Sequence, residues 1–155
     1  MDAADLDVVD LDRSDAEELL SRYREYGWWD EREREAVAEA LAHTDLAIGL
    51  RDGTTLVASA RVITDFVYYA RVYDVIVAAD RRGEGLGRKL LSAILADDRL
   101  ADVNPVLLCR DGLVPFYESV GFEPYPETVD APEGEDVELR QLIHVDGELE
   151  DAGGE

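Results

Sequence analysis

The 155-residue chain holds one cysteine, one methionine, one lysine and two histidines, and it has no long apolar run. A lone Cys109 excludes an internal disulfide, and its place at the end of Val106-Leu107-Leu108-Cys109 predicts a small buried hydrophobe. His43 and His144 stand apart without the spacing of metal ligands, so no metal is implied. No apolar stretch approaches the roughly 20 residues of a membrane span, and the start MDAADLDVVD lacks the basic and apolar regions of a signal peptide. The expectation is a cytoplasmic protein without membrane association.

Positive charge is scarce as well. Fifteen basic residues face 37 acidic ones, for a formal net charge of -22. Such a balance repels phosphate backbones over most of the surface, which excludes general nucleic-acid binding. All of the basic residues except Lys89 are arginines. A carboxylate-rich, lysine-poor surface of this kind resembles that of cytoplasmic proteins from salt-loving organisms, where high ionic strength screens self-repulsion. Hydrophobic residues still make up 46% of the chain, enough for a core. The length predicts one domain over 1–147, followed by an acidic, glycine-bearing tail over 148–155 expected to be disordered.

Residues 6–11 read as a short strand. Ser14 and Glu17 have the S-x-x-E spacing of a capping box, which predicts a helix from there to about Tyr26. Gly27 breaks it, and Asp30 is placed to cap a second helix with Ala36, Val37, Ala40 and Leu41 on one face. Asp52-Gly53 between apolar runs predicts a hairpin of two strands, and a third run, 70–78, is again extended. Leu86, Leu90, Leu91, Ile94 and Leu95 then recur at helical spacing. Residues 105–109 read as a strand parallel to the one before that helix. A short helix follows over 111–120, with Pro115 in its first turn and Gly121 as its stop. Late strands are expected at 122–125 and 137–145. The order is that of an α+β domain on one central sheet.

The junction of the 70–78 strand and the next helix carries DRRGEGLGRKLL, a basic glycine-rich island in an acidic chain. A strand that ends in glycines and opens a helix makes an anion site, because early helix amides lack intrahelical partners and the helix dipole is positive there. Gly83 and Gly87 are one residue too close for the Walker pattern, and Arg88 stands where the third glycine of the dinucleotide fingerprint belongs. The spacing that does fit is R-x-x-G-x-G, Arg82 to Gly87.

Together with Pro115-Phe116-Tyr117-Glu118-Ser119-Val120-Gly121-Phe122 further on, this hexapeptide resembles the signature of the GNAT acetyltransferase superfamily. The resemblance covers about 46–125. It implies a GNAT-like acyl-CoA N-acyltransferase fold with a mixed, mostly antiparallel central sheet, flanked by helices, in which the fourth strand (73–77) and a parallel fifth (106–109) splay apart. It further implies acetyl-CoA as co-substrate, with pantetheine held by the backbone of Val75, Ile76 and Val77. The pyrophosphate would be held by the amides of Arg82, Gly83, Glu84, Gly85, Leu86, Gly87 and Arg88. Arg81, Arg88 or Lys89 would reach the 3′-phosphate.

Tyr117 matches the acid that protonates the departing thiolate, and Asp74 the strand acid that takes a proton from the amine. Arg110 replaces a common asparagine; it cannot accept a hydrogen bond and would meet cofactor phosphate or an acidic acceptor instead. Leu113 replaces a smaller residue. The acceptor would be a primary amine on a small molecule or peptide, flanked by Trp28 and Trp29 or by Asp65, Phe66, Tyr68 and Tyr69. A non-catalytic acyl-CoA-binding module is the alternative, and a homodimer stays open. If the charge is a salt adaptation, the melting temperature rises from low to molar KCl; thermal unfolding with no salt dependence overturns that reading.

Overall fold

The chain enters its central sheet through β1 (Asp7–Asp10), which pairs antiparallel with β2 (Leu46–Asp52). β2 pairs with β3 (Thr55–Thr64) and β3 with β4 (Ala70–Val77), all antiparallel, in the order β1-β2-β3-β4. The predicted hairpin joins β2 to β3, with Gly53 at φ +63°, a conformation glycine adopts without Cβ strain. These elements come from a computed structural model that describes residues 6–124, 128–130 and 136–138. The chain divides into two units, Met1–Val120 and Gly121–Glu155.

Alternation along β2 sends Ala47 to one face of the sheet and Leu46, Ile48 and Leu50 to the other. The first face packs with Leu56 and Ile76 against α1 (Ala16–Tyr23) and α2 (Arg34–Ala42), which contribute Leu19, Leu20, Tyr23, Val37, Ala38 and Leu41. The opposite face receives α3 (Leu86–Leu95), whose Leu86, Leu90, Leu91 and Ile94 are all buried. Layers of helix, sheet and helix thus enclose the core in the predicted α+β arrangement.

The helix starts differ from the sequence reading. Asp12, not Ser14, forms the capping box: its carboxylate accepts from the Ser14 N–H at 2.9 Å, while the Asp15 carboxylate accepts from the Asp12 N–H at 2.8 Å. A carboxylate two residues earlier wins because Asp15 can answer it reciprocally. α1 ends at Tyr23 rather than Tyr26, and a 3-10 turn, Gly27–Trp29, follows. Asp30 does not cap α2; Glu33 stands at that position, without a side-chain cap.

The expected strand at 105–109 shrinks to one parallel bridge, Val106 to Arg71, in which the Val106 N–H donates to Ala70 O (3.0 Å) and Val106 O accepts from the Val72 N–H (2.8 Å). Beyond it the chain leaves β4, so Cys109 is exposed rather than buried. α4 (Val114–Ser119) carries Pro115 in its first turn, as expected. In the second unit β5 (Thr128–Asp130) pairs antiparallel with β6 (Asp136–Glu138). Residues 122–124 form no strand, and Tyr125, the remainder of 139–145, His144 and the tail lie outside the described residues.

Arginines of the first unit link acidic neighbours. Arg51 donates to Asp15 (2.7 Å) and Glu18 (2.9 Å), and Arg99 to Asp10 (3.0 Å) and Asp97 (2.7 Å). Among the described residues no helix is long and apolar enough to cross a membrane, and no cluster of three acidic, histidine or cysteine residues could hold a metal. Gly49 is the most closely packed of the described glycines: a Cβ there would lie 2.7 Å from Leu56 Cδ1 and 3.2 Å from both δ-carbons of Leu11. Gly49→Ala therefore overpacks a site closed on both sides and lowers unfolding free energy by about 1–2 kcal/mol, as denaturant titration should register.

Candidate functional site

The site is built around an irregularity in β4. Ala70 and Val72 turn their backbone groups toward Val106, which leaves Arg71 and Tyr73 to bond with β3. Further on, the Ala78 N–H donates to Val57 O at 2.8 Å, so Ala78 and Ile76 face β3. Between Tyr73 and Ile76 the phase of the ladder has slipped by one residue, at the register shift opposite Ser59 and Arg61. The slip is a β-bulge, and Asp74 within it stands at φ +59°. As a result Val75 and Val77 present their N–H and C=O groups to the open edge, where the chain after Val106 has departed. Ile76, the other strand residue expected to hold pantetheine, turns its backbone to β3 and its side chain into the core.

Asp74 pairs with two guanidiniums. Arg32 donates to both its oxygens (2.9 and 3.2 Å), and Arg61 Nε donates to Oδ2 (2.9 Å). Arg61 also reaches Thr44 Oγ1 at 2.9 Å, and the Arg32 guanidinium lies over the rings of Tyr23 (4.7 Å) and Trp29 (5.7 Å). Burial opposes ionisation of the Asp74 carboxyl, yet hydrogen bonds and charge from Arg32 and Arg61 outweigh it and hold its pKa below the usual value. Burial pushes the Tyr23 phenol up to about 12, so it stays neutral. Trp29 packs edge-on to Tyr26 and tilted on Tyr23. An open cavity of about 450 Å³ lies beside Trp29, Asp30, Glu31 and Arg32.

At the C-terminal end of β4 the glycine island makes the turn into α3. Gly83 and Gly85 both stand at φ +83° with open space where a Cβ would be. The first intrahelical donor is the Lys89 N–H, to Gly85 O at 3.0 Å, and no side chain caps the helix at Gly85. Early helix amides are thus turned toward the island, an arrangement that fits an anion such as a pyrophosphate.

Gly87 does something else. It lies within α3, where an added Cβ would come 3.3 Å from Phe116 Cζ and 3.8 Å from Val77 Cγ2, so its bareness admits α4 to the junction of β4 and α3. Arg88 extends that contact by donating to Ser119 O at 3.1 Å, the last residue of α4. Arg81 is engaged by Asp52 (3.0 Å) and Glu84 (2.8 Å). Both arginines expected near the 3′-phosphate are therefore held by protein groups, while Lys89 is half-buried on α3 and Arg110 is exposed at the start of the turn into α4.

Tyr117 projects from α4 half-buried, edge-on to Phe116 at 5.1 Å. Burial raises its pKa, and the nearby Cys109 thiol adds to the rise. The structure thus brings β4's open edge, the island and α4 to one junction, and sets Asp74 in an arginine clamp earlier on β4. Among the aromatic rim candidates whose side chains are described, which leaves out Trp28, Tyr68 and Tyr69 are the most exposed (76% and 78%), on a loop fastened by Asp65 Oδ1, which accepts from the N–H groups of Val67, Tyr68 and Tyr69. Sequence reading placed Tyr26 in the connection that flanks the acceptor but missed its bond to Val77, and it missed Glu25, Arg32 and Arg61 as parts of this region; their partners lie elsewhere in the chain, so no local pattern marks them.

The same segments match known proteins. The family model of the acetyltransferase (GNAT) domain matches residues 43–124. An uncharacterized N-acetyltransferase of Gracilaria tenuistipitata var. liui is 35% identical over 75 residues, covering 48% of this chain and 41% of that protein. A chloroplastic serotonin N-acetyltransferase of Oryza sativa subsp. japonica is 34% identical over 104 residues, covering 63% and 52%. The chain thus spans about half the length of these curated relatives. A solved structure of a GNAT-family acetyltransferase from Streptococcus pneumoniae TIGR4 superposes with a TM-score of 0.64 at 25% identity, covering 76% of this chain and 87% of that one. With the family model spanning more than half of its residues, the chain belongs to the GNAT acetyltransferase family.

Proposed function

We propose that this protein is a cytoplasmic N-acetyltransferase that moves the acetyl group of acetyl-CoA to a primary amine of a small molecule or peptide, by direct attack within a ternary complex. The observation that carries the reading is the slipped ladder of β4: it turns the amides of Val75 and Val77 to an open edge that runs straight into the amide-rich turn at 82–88. An extended, amide-bearing arm ending in a pyrophosphate meets both features in sequence. Acetyl-CoA supplies a thioester whose carbonyl carbon the amine attacks and whose thiolate departs as CoA.

The chain's own contribution begins with orientation. Val75 and Val77 hold the arm as a neighbouring strand would, and the amides of 82–88 hold the phosphates at the positive end of α3. Tyr117 serves as the acid. Its raised pKa keeps the phenol protonated at and above neutral pH, so a proton is available for the thiolate, while the proton shed by the attacking nitrogen passes to water, from which the phenolate is reprotonated. Asp74, expected on sequence grounds to take the amine's proton, is proposed here as a positioning residue instead. Two guanidiniums hold its carboxyl ionised below the usual range, which makes it a weak base, while the same contacts fasten the segment between α1 and α2 to the sheet. That clamp is also the observation that favours the alternative, a non-catalytic acyl-CoA-binding module.

Thiol release measured over small amines, amino sugars and peptide N-termini separates the two: turnover supports the enzyme, and CoA binding without turnover on the whole panel supports the module. Tyr117→Phe is expected to lower kcat by about 10- to 100-fold with CoA affinity within a factor of two, and full activity would remove Tyr117 from the mechanism. Because its pKa is raised, activity should not decline on the alkaline side until pH exceeds the ordinary tyrosine value of about 10.

Asp74→Asn keeps the acceptor oxygen and tolerates positive φ, so activity should fall less than about tenfold with the acid limb of the pH profile in place. Abolished activity together with loss of that limb would return Asp74 to the role of base. Asp74→Ala, which leaves Arg32 and Arg61 uncompensated, should cost about 2–3 kcal/mol of stability.

A further inference from the structure

The open edge of β4 is not left bare at its end. The Tyr26 hydroxyl donates to Val77 O at 2.5 Å, and the Glu25 carboxylate accepts from the Ala79 N–H at 2.8 Å. Two side chains that follow one another thus meet one carbonyl and the N–H two residues further along. At the start of β4, Val106 does the same with its backbone: its N–H donates to Ala70 O and its carbonyl accepts from the Val72 N–H. The donor, the acceptor and the two-residue step are identical, and they are those of a parallel strand. Glu25 and Tyr26 therefore imitate a strand residue on the edge that the bulge has exposed.

We propose that Glu25 and Tyr26 form a displaceable strand mimic, which closes the end of β4 before the cofactor arrives and yields to the pantetheine arm when it binds. The proposal rests on the acyl-CoA reading above. Val77 O is one of the acceptors that an amide of the arm would use, and the phenol already occupies it. Glu25 places a carboxylate at the entrance to the turn that would receive a pyrophosphate, so repulsion between the two anions favours its release. Among the described residues, its salt-bridge partner is Arg22, at 3.2 Å.

Movement of this pair is felt on the acceptor side. Tyr26 is the residue from which the Gly27–Trp29 turn springs; its ring meets Trp29 at 6.1 Å, and Trp29 lies under the guanidinium of Arg32 that grips Asp74. The Arg82 guanidinium, in the loop itself, lies over the outer face of the Tyr26 ring at 5.8 Å. Arrival of a phosphate at Arg82 and departure of Tyr26 from Val77 are thereby mechanically linked. Cofactor loading would loosen the wall of the cavity beside Trp29 and Arg32.

The test compares the full chain with Tyr26→Phe and Glu25→Ala by calorimetric titration with CoA and by thermal unfolding with and without it. A strand mimic that competes with the arm predicts a lower Tm without CoA but CoA binding tightened about three- to tenfold in either variant, and a larger CoA-induced rise in Tm. A purely structural role for the two contacts predicts the lower Tm with binding unchanged or weakened, and that result overturns the proposal. Should Tyr26→Phe fail to fold, Glu25→Ala decides on the same criterion. Absence of CoA binding in the unsubstituted protein overturns the acyl-CoA reading as well, whereas equal affinity in all three forms overturns the strand mimic alone.

Discussion

A single extra residue in β4 sets the geometry of everything around it. A β-ladder alternates its backbone groups strictly, so a strand bonded to β3 on one side offers its other edge in fixed phase. Up to Tyr73 that phase serves Val106; past the bulge it serves the open edge. Had the ladder run on without the slip, Ile76 and Ala78 would face the gap and Val75 and Val77 would be consumed by β3. The bulge costs some strain at Asp74, which holds a left-handed conformation that few side chains accept, on the order of 1 kcal/mol. The bidentate grip of Arg32 and the added bond from Arg61 supply the local compensation. A strained, doubly paired acid in mid-strand thus has a structural purpose before any chemical one.

Charge works at two scales in this protein. Over the whole chain acidic residues outnumber basic ones 37 to 15, and several arginines serve local order: Arg51, Arg81 and Arg99 each bridge two acids. Exposed pairs of that kind contribute little one by one, but an arginine fork shared by two carboxylates fixes the relative position of two elements. The same economy applies in the glycine island. Its arginines look from the sequence like phosphate ligands, yet Arg81 and Arg88 hold the turn and α4 in place. In the proposed site, that leaves the backbone amides and the dipole of α3, beside Arg82, to draw an anion, and no neighbouring acid can neutralise amides by pairing.

The parts legible in the sequence are those written in short-range pattern. Asp52-Gly53 announced the hairpin, periodic leucines announced α3, and the spacing of Gly83, Gly85 and Gly87 selected among phosphate turns. The illegible parts have definite causes. Tyr73-Asp74-Val75-Ile76-Val77 alternates acceptably in either phase, so the bulge leaves no trace in polarity, and aspartate at positive φ is only a permissive choice. Val106-Leu107-Leu108-Cys109 reads as a buried strand because apolarity implies cover; the cover ends when the chain leaves β4 after one bridge, and Cys109 emerges. Glu25 and Tyr26 meet β4 and its following turn across 54 and 51 residues, a separation at which single-sequence reasoning is silent.

The third glycine of the island shows how far a motif can be right for a reason other than the one first supplied. All three glycines suggest backbone approach to an anion, and Gly83 and Gly85 have the left-handed φ that such a turn requires. Gly87 is helical, and what approaches it is Phe116. A Cβ there would require Phe116 to give by a few tenths of an ångström, on the helix that carries Tyr117 and whose Ser119 O accepts from Arg88. The residue that makes room in the glycine turn therefore also touches the helix of the proposed acid. The proposed cofactor turn and the proposed acid are joined by a packing contact, and geometry at one bears on geometry at the other.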